Sequence, residues 1–282
     1  MLSALGSSLL RPSSAGEPDS ASLGREAIVA ALEGRRRLAV EVLDSVDSTS
    51  SELLRRASTT DIHRRVLLAE RQTAGRGRRG RKWTSTPGGS LTFSLGWRFA
   101  RAPGELSALP LVGGLAVCRA LEAEGFTDVR LKWPNDIVHR GAKLAGVLVE
   151  LASDGPGRSV AVLGIGLNVR LPAAVRRSIG QAATDLASIA PRAGLDRNAL
   201  AARIVCELAG ALQAYARRGF SSFRAEWLRR HAPQGKAVEV VLPDGGKVHG
   251  TVCGIDADGA LLVASGGRTL RFVSGEVSLR PS

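Results

Sequence analysis

The sequence has little cysteine, and the cysteines it has are scattered. Its 282 residues include three, Cys118, Cys206 and Cys253, which lie far apart and form no C-x-x-C pair. An odd, sparse set argues against a disulfide framework and against a zinc site, and it is typical of proteins in the reducing cytosol. We therefore expect a cytoplasmic protein without structural disulfides.

Long hydrophobic runs are also missing. No apolar stretch approaches the roughly 18–20 residues that span a bilayer. The short apolar patch within residues 1–14 has no basic residue before it, which makes it weak as a secretory signal. The content of 44% hydrophobic and 23% charged residues is ordinary for a soluble globular protein. These features predict no membrane association.

Positive charge, by contrast, is abundant and concentrated. The formal net charge is +13, but an arginine-rich chain can be basic without binding a polyanion, so the position of the charge is more informative than its total. Residues 64–82 contain eight Lys or Arg residues against one acid, Glu70. Such a concentration indicates a segment that binds polyanions or cradles phosphate.

The apolar pattern predicts a mixed α+β domain over residues 38–231. Alternation over residues 91–99 predicts its clearest strand, and helical spacing over 111–121 and 200–217 predicts two of its helices. We expect these helices to cover one side of a largely antiparallel sheet. Residues 1–37 are expected to form a disordered extension with one short helix, which Ser22 would cap.

The texture of the sequence changes at residues 234–282. Three or four short strands are predicted between tight turns at residues 244–246, 256–259 and 265–267. This pattern is typical of a small β-barrel. Because a domain of this size buries little core by itself, we expect it to dock against the larger domain.

A glycine-arginine segment, Ala74-Gly-Arg-Gly-Arg-Arg-Gly-Arg-Lys-Trp83, carries the first chemical signal. Its glycines satisfy G-x-G-x-x-G, but no apolar helix follows, so the dinucleotide-binding interpretation fails. A flexible loop of guanidinium groups can instead fold over a phosphate-bearing ligand. The alternative is an arginine-glycine tract that binds nucleic acid. Against it, the segment is single and short, and it lies between two predicted strands.

Two further segments are ambiguous when taken alone. In Lys132-Trp-Pro-Asn-Asp136, the last two residues are by default turn formers, and in Lys143-Leu-Ala-Gly146 the lysine is by default a solvated hairpin residue. In a functional interpretation, Asp136 serves a hydrated metal or a ligand hydroxyl, and Lys143 serves a phosphate. The glycines of Gly164-Ile-Gly-Leu-Asn168 indicate the close approach of a ligand or another backbone.

Together with Asp47-Ser-Thr49, these segments resemble the biotin–protein ligase family in order and spacing. Gly275-Glu-Val-Ser-Leu-Arg280 resembles the closing strand of that family's C-terminal SH3-like domain. The resemblance covers residues 38–280. It implies a catalytic domain like those of class II aminoacyl-tRNA synthetases over residues 38–231, with a mixed, largely antiparallel sheet covered by helices. An SH3-like β-barrel would follow over residues 234–282.

The resemblance also implies which residues bind each substrate. Lys143 and Arg78 are the expected catalytic residues. The residues expected around biotin are Ser48, Thr49, Ser50, Gln72, Arg76, Gly77, Arg78, Lys143, Gly146 and Gly164. The residues expected around ATP are Arg78, Arg81, Trp83, Asn135, Asp136, Lys143 and Asn168, with the indole of Trp83 beside adenine. Mg²⁺ is expected, held mainly by the ATP phosphates.

The chain departs from the family pattern in two places. Ser50 stands where the family commonly has Asn, a change that would remove the contact the asparagine side chain makes to the biotin head. Bifunctional members also carry an N-terminal winged helix-turn-helix, for which the segment before Leu38 is too short. We therefore expect no sequence-specific DNA binding and no operator-binding repression.

The implied reaction is formation of biotinyl-5′-AMP from biotin and ATP, followed by transfer of biotin to a lysine of the biotin carboxyl carrier protein of acetyl-CoA carboxylase. Since a carboxylate must attack a phosphate, positioning and charge neutralisation matter more than a side-chain nucleophile. A lipoate ligase is one alternative, although its pattern lacks the dense arginine-glycine loop. The other is a nucleic-acid-binding protein whose affinity falls steeply with salt. Both a monomer and a homodimer stay open.

Overall fold

Two β-sheets and a set of helices make up residues 22–34, 37–191 and 195–279, the part of the chain that the computed structural model describes. The strands are β1 (Ala39–Val46), β2 (Arg65–Gln72), β3 (Ser90–Phe99), β4 (Val129–Lys132), β5 (Asp136–His139), β6 (Ala142–Ser153), β7 (Ser159–Asn168), β8 (Ala237–Val241), β9 (Lys247–Ile255), β10 (Leu261–Ser265), β11 (Arg268–Phe272) and β12 (Glu276–Leu279). The helices are α1 (Arg25–Ala31), α2 (Thr49–Ala57), α3 (Leu109–Ala123), α4 (Ala173–Ser178), α5 (Leu186–Ile189), α6 (Arg197–Arg218) and α7 (Ser221–Arg230).

The larger sheet has the strand order β1-β2-β3-β7-β6-β5-β4. Only the pair β1 and β2 is parallel, and the remaining neighbours are antiparallel. The parallel pair requires a crossover, which α2 provides. The predicted mixed, largely antiparallel sheet covered by helices is confirmed.

The two predicted helices, α3 and α6, cover one side of this sheet as expected, but a further helix, α2, covers part of the other side. Most of the core lies on the face that α1, α3 and α6 cover. On the opposite face, Leu53 of α2 packs with Leu67 of β2 and Val162 of β7 in a smaller cluster. Because successive strand residues point to opposite faces, Val66 and Leu68 join the main core while Leu67 joins the cluster under α2.

The apolar–polar alternation that predicted β3 does not separate a core face from a solvent face. Leu91, Phe93 and Leu95 face the main core, but the polar residues between them, Thr92 and Ser94, are also buried. Helix α2 lies over their face of the sheet. The polar residues of β3 therefore mark a second, hydroxyl-lined interior and not a solvent face.

The beginning of the described chain is a short helix, as predicted, but Ser22 does not cap it. Helix α1 begins at Arg25 and its N-cap is Gly24. The side chain of Asn198 on α6 accepts a hydrogen bond from Gly24 N at 2.9 Å and donates one to Ser22 O at 3.2 Å. Tertiary contacts have thus shifted the start of the helix. The predicted disorder of residues 1–21 lies outside the described residues.

The C-terminal part contains five strands, so the expected three or four were too few. They form an antiparallel sheet in the order β11-β10-β9-β8-β12, and its turns fall where the glycines predicted them. This sheet docks on the larger part, as expected. Trp133 Nε1 donates a hydrogen bond to Gly259 O at 3.1 Å, and buried residues of both parts belong to one continuous hydrophobic core.

Among the residues that the structure describes, two helices are long and apolar enough to cross a membrane by length and composition alone. They are the segment Pro103–Ala123, which includes α3, and α6. Within the fold, 72% of the apolar window of the first and 56% of that of the second are buried. Both pack against each other and form part of the core.

Candidate active site

The residues that the sequence singles out come together around one cavity of about 820 Å³. Its walls are the N-terminus of α2, the ends of β2, β5, β6 and β7, and the loop between β2 and β3. The predicted site residues that line it are Ser48, Thr49, Ser50, Gln72, Arg76, Gly77, Arg78, Arg81, Trp83, Asn135, Asp136, Lys143, Gly146, Gly164 and Asn168. A cavity of this size suits a small molecule with a nucleotide.

One end of the cavity is neutral and rich in hydroxyl groups. Ser48 is the N-cap of α2, and its side chain accepts a hydrogen bond from Ser51 N, as the preference of serine for this position predicts. Next to it, Thr49 N donates to Gln72 Oε1 at 2.8 Å, which ties the helix start to the end of β2. Thr49 and Ser50 are almost fully buried, so this end is shaped by the fold before any ligand arrives.

Another part of the cavity wall carries an ion pair. Lys143 Nζ lies 2.7 Å from Asp136 Oδ1, and both side chains are less than one-fifth exposed. Gly146 makes room for this lysine, since a Cβ atom there would stand 3.3 Å from Lys143 Cε. A partly buried ammonium group of this kind can serve a carboxylate and a phosphate together.

The arginine-glycine loop closes one side of the cavity and is held by carboxylates and amides from other elements. Arg81 forms an ion pair with Glu276 of β12, and Arg76 forms one with Glu150 of β6. Arg78 Nη1 donates to Asn135 Oδ1 at 3.3 Å. Burial and the neighbouring positive charge of Arg79 lower the pKa of the Arg78 guanidinium below its usual range. The loop is thus held in place by side chains of β6, of β12 and of the turn before β5.

Trp83, at the end of the loop, lies against β7. A Cβ atom on Gly166 would stand 2.8 Å from Trp83 Cδ2, so only glycine allows this contact. Lys143 Nζ lies 5.8 Å from the indole ring centre. Gly166 was not among the predicted site residues, although it is the second glycine of the Gly-Ile-Gly segment and the signal was therefore present in the sequence.

Asn168 has a structural role in addition to lining the cavity. Its Nδ2 donates to Thr184 O at 3.0 Å and to Lys143 O at 3.4 Å. In the same place, Lys143 N donates to Ala182 O, and residues 178–181 extend along the cavity wall. Sequence reasoning missed this wall because its residues form neither a strand nor a motif.

Sequence reasoning also missed two side chains at the site, one behind the cavity wall and one in it. Ser94, fully buried on β3, contacts the hydroxyls of Thr49 and Ser50. Glu276 lines the cavity from the C-terminal sheet and pairs with the arginine loop. Burial opposes ionisation of Glu276, but the hydrogen bond and charge of Arg81 prevail and lower its pKa.

The described residues around the cavity offer oxygen ligands to Mg²⁺ but do not surround an ion on all sides. Within the described ranges, no group of three or more His, Cys, Asp or Glu side chains is placed to hold a metal ion. Asp136 and Glu276 nevertheless present carboxylates to the cavity. Mg²⁺ is commonly held by one or two carboxylates, several waters and substrate phosphates, and the residues present fit that manner of binding.

Residues 42–168 match the model of the biotin/lipoate A/B protein ligase family, and residues 235–280 match that of the biotin protein ligase C-terminal domain. The biotin–[acetyl-CoA-carboxylase] ligase of Mycobacterium tuberculosis is 37% identical over 258 residues, which cover 90% of this chain and 92% of that protein. The chain belongs to the biotin protein ligase family. The first model also covers lipoate ligases, and it is the second, C-terminal match that separates the two.

Other members of the biotin protein ligase family agree in sequence and in structure. The bifunctional ligase/repressor BirA of Escherichia coli is 35% identical over 86% of this chain and 74% of its own length. The biotin protein ligase from Aquifex aeolicus in complex with biotin and ATP superimposes with a TM-score of 0.72 at 32% identity, covering 86% of this chain and 99% of that one.

Proposed function

We propose that this protein is an ATP-dependent biotin protein ligase. It activates biotin as biotinyl-5′-AMP and transfers the biotin to a lysine of a biotin carboxyl carrier protein. The observation that carries the proposal is that one cavity brings together a neutral, hydroxyl-lined wall, the Lys143–Asp136 ion pair and the arginine loop, in a chain that belongs to the ligase family.

The cavity supports an assignment of its two ends to the two substrates. The neutral ring system of biotin suits the end formed by Ser48, Thr49, Ser50 and Gln72, and its carboxylate then points toward Lys143. ATP suits the other end, where Arg78 and Arg81 serve its phosphates and the Trp83 indole lies beside adenine. The remaining assigned residues are Arg76, Gly77, Gly146 and Gly164 for biotin and Asn135, Asp136 and Asn168 for ATP.

In the first step, a carboxylate oxygen of biotin attacks the α-phosphorus of ATP and pyrophosphate leaves. Lys143 is placed to lower the repulsion between the two anions, which is a positioning and electrostatic role. Mg²⁺, when bound, would neutralise part of the phosphate charge, and Asp136 is a carboxylate that would help to hold it. In the second step, the neutral amine of the carrier lysine attacks the acyl carbon, AMP leaves with the bonding electrons, and the amine nitrogen loses a proton to solvent as the amide forms.

The mixed anhydride must be kept from water between these steps. The arginine-glycine loop is suited to this task because it lies at the cavity wall and its anchors, Glu150 and Glu276, come from different elements. We further propose that the chain acts in the cytoplasm and binds no specific DNA sequence. In support of the second point, α1, the helix described before β1, packs on α6 as part of the catalytic fold.

Biotin-dependent exchange of pyrophosphate into ATP tests the first step, with lipoate in place of biotin as the control. Transfer of labelled biotin to the carrier domain of acetyl-CoA carboxylase tests the second. We expect exchange with biotin only, and labelling of a single carrier lysine. Exchange that proceeds equally well with lipoate, or none with either acid, would contradict the proposal.

A further inference from the structure

Four polar side chains form a continuous hydrogen-bonded row behind the neutral end of the cavity. Thr49 Oγ1 lies 3.1 Å from Gln72 Oε1, Ser94 Oγ lies 2.7 Å from Thr49 Oγ1, and Ser50 Oγ lies 2.9 Å from Ser94 Oγ. Ser94 is fully buried on β3, whereas Thr49, Ser50 and Gln72 line the cavity. The row therefore starts and ends at the cavity wall and passes through a residue that does not line the cavity.

The direction of every proton in this row follows from its first member. Thr49 N donates to the Gln72 amide at 2.8 Å, which identifies that atom as the oxygen Oε1, an acceptor only. Thr49 must then donate its hydroxyl proton to Gln72, since two oxygens 3.1 Å apart with no proton between them repel each other. Each hydroxyl has one proton, so Ser94 donates to Thr49 and Ser50 donates to Ser94.

The consequence appears at Ser50. Its proton is committed to Ser94, so its oxygen offers the cavity only lone pairs. A Cβ atom on Gly164 would stand 2.5 Å from Ser50 Oγ, and Ser94 is the register partner of Gly164 across β3 and β7. The hydroxyl is thus seated in the space that glycine leaves, and its acceptor face has a fixed position.

We infer that Ser94 is a positioning residue that makes Ser50 an obligate hydrogen-bond acceptor, and that the enzyme thereby selects a substrate head group carrying an N–H at this point. The inference rests on the proposed function, because the ureido ring of biotin has two N–H groups. The analogues most similar to biotin that this site should reject are cyclic carbamates, in which an oxygen atom replaces one N–H of the ureido ring. With Ser94 in place, the ring oxygen of such an analogue faces the lone pairs of Ser50.

The test compares kcat/KM in pyrophosphate exchange for biotin and for both carbamate regioisomers. For the regioisomer whose oxygen meets Ser50, we expect the wild type to discriminate by about 10²-fold, since a buried acceptor is left without a donor. In Ser94→Ala the Ser50 hydroxyl is free to rotate and donate to the ring oxygen, so the discrimination should fall to about 10-fold or less. Ser50→Ala removes the acceptor itself, so it should also abolish most of the discrimination between biotin and the carbamate.

Thr92→Val is the matched control. Thr92 lies on the same face of β3, is equally buried, and donates to Ala69 O at 3.1 Å, outside the row. It should retain the wild-type discrimination, which separates proton direction from a general loosening of β3. Discrimination in Ser94→Ala equal to that of the wild type would overturn the inference while leaving biotin ligation intact. Absence of biotin-dependent exchange in the wild type would overturn the proposed function instead.

Discussion

The indole of Trp83 lies directly on the backbone of Gly166, so closely that a methyl group on that glycine would overlap the ring. The glycine of one strand therefore fixes the plane of an aromatic side chain that the loop between β2 and β3 contributes. In our proposal that plane is where adenine binds, so the β7 backbone sets the nucleotide position from behind.

Replacing Gly166 with alanine should raise the KM for ATP by about tenfold or more, because Trp83 must move from its seat and overpacking of this kind costs about 1–3 kcal/mol. The KM for biotin should change far less. Gly104→Ala is the control, since nothing lies within 4 Å of a Cβ atom there. Equal changes in both KM values would indicate general unfolding of the site.

Removal of the Lys143 ammonium should slow biotin-dependent exchange by about 10²–10³-fold, the usual effect of losing one donor to a developing charge. Lys143 is the cation paired with Asp136 at 2.7 Å. Lys247→Ala, which removes an exposed lysine from β9, should leave the rate unchanged. Near-wild-type exchange in Lys143→Ala would take this residue out of the reaction.

The Arg78→Gly enzyme should release biotinyl-5′-AMP into solution. Arg78 bonds Asn135 from the arginine loop, and its loss both removes that contact and adds backbone freedom. The measurement is biotin incorporation into albumin, an unrelated protein, at matched rates of adenylate synthesis. Arg79→Gly also removes a guanidinium group from the loop but keeps the Arg78 contact to Asn135, and it is the control. A bystander labelled no more by Arg78→Gly than by the wild type would show that Arg78 does not retain the intermediate.

Stability should fall in mild acid because of His231, which precedes the C-terminal sheet. Burial lowers the pKa of His231 from 6.5 to about 4. The unfolded chain therefore takes up a proton in a pH range where the folded chain does not, so stability falls as the pH drops through that range. Between pH 7 and pH 5 this residue should remove about 2 kcal/mol from the free energy of unfolding.

His231→Phe should abolish that component, because phenylalanine cannot titrate yet can still pack against Trp227, whose ring centre lies 4.4 Å from that of His231. The comparison is urea unfolding of both proteins at the two pH values. An identical pH dependence in the two proteins would assign the effect to other groups.

Breaking the buried ion pair of Arg197 and Glu70 should strongly destabilise the folded protein. Arg197 is 1% exposed and lies 2.9 Å from Glu70, which also accepts hydrogen bonds from Leu23 N and Gly88 N. Glu70→Gln should lower the free energy of unfolding by about 3 kcal/mol, since it removes the negative charge from a buried ion pair with two hydrogen bonds. Adding Arg197→Met should recover part of the loss, and a simple sum of the two single effects would contradict this reasoning.

The sequence allowed prediction of the elements whose signal is local. The apolar alternation over residues 91–99 correctly predicted β3, and Ser48 is the N-cap of α2, a position that serine favours. What the pattern could not supply was the side of the sheet on which an element lies. The face covered by α2 depends on the crossover between two parallel strands, and nothing within α2 encodes that path.

The same limit applies to the site. Family motifs identified the residues that line the cavity, including Lys143 and Asp136. Ser94 was invisible because a serine within an apolar alternation is indistinguishable from a solvent-facing one. The contact of Trp133 with Gly259 joins residues that are far apart in sequence, and no spacing rule connects them.

The contact of Trp133 with Gly259 has a consequence for chimeric enzymes built from two members of the family. Gly259 has a φ of +85°, and a Cβ atom on it would stand 2.7 Å from Leu111 Cδ1, so helix, tryptophan and turn are fitted to one another. A chimera that takes its last fifty or so residues from a relative would import a turn shaped for a different tryptophan and a different helix. The C-terminal sheet is continuous in sequence and could be exchanged as one segment. We nevertheless expect a chimera to fold well only if the surface of α3 that contacts the sheet is exchanged with it.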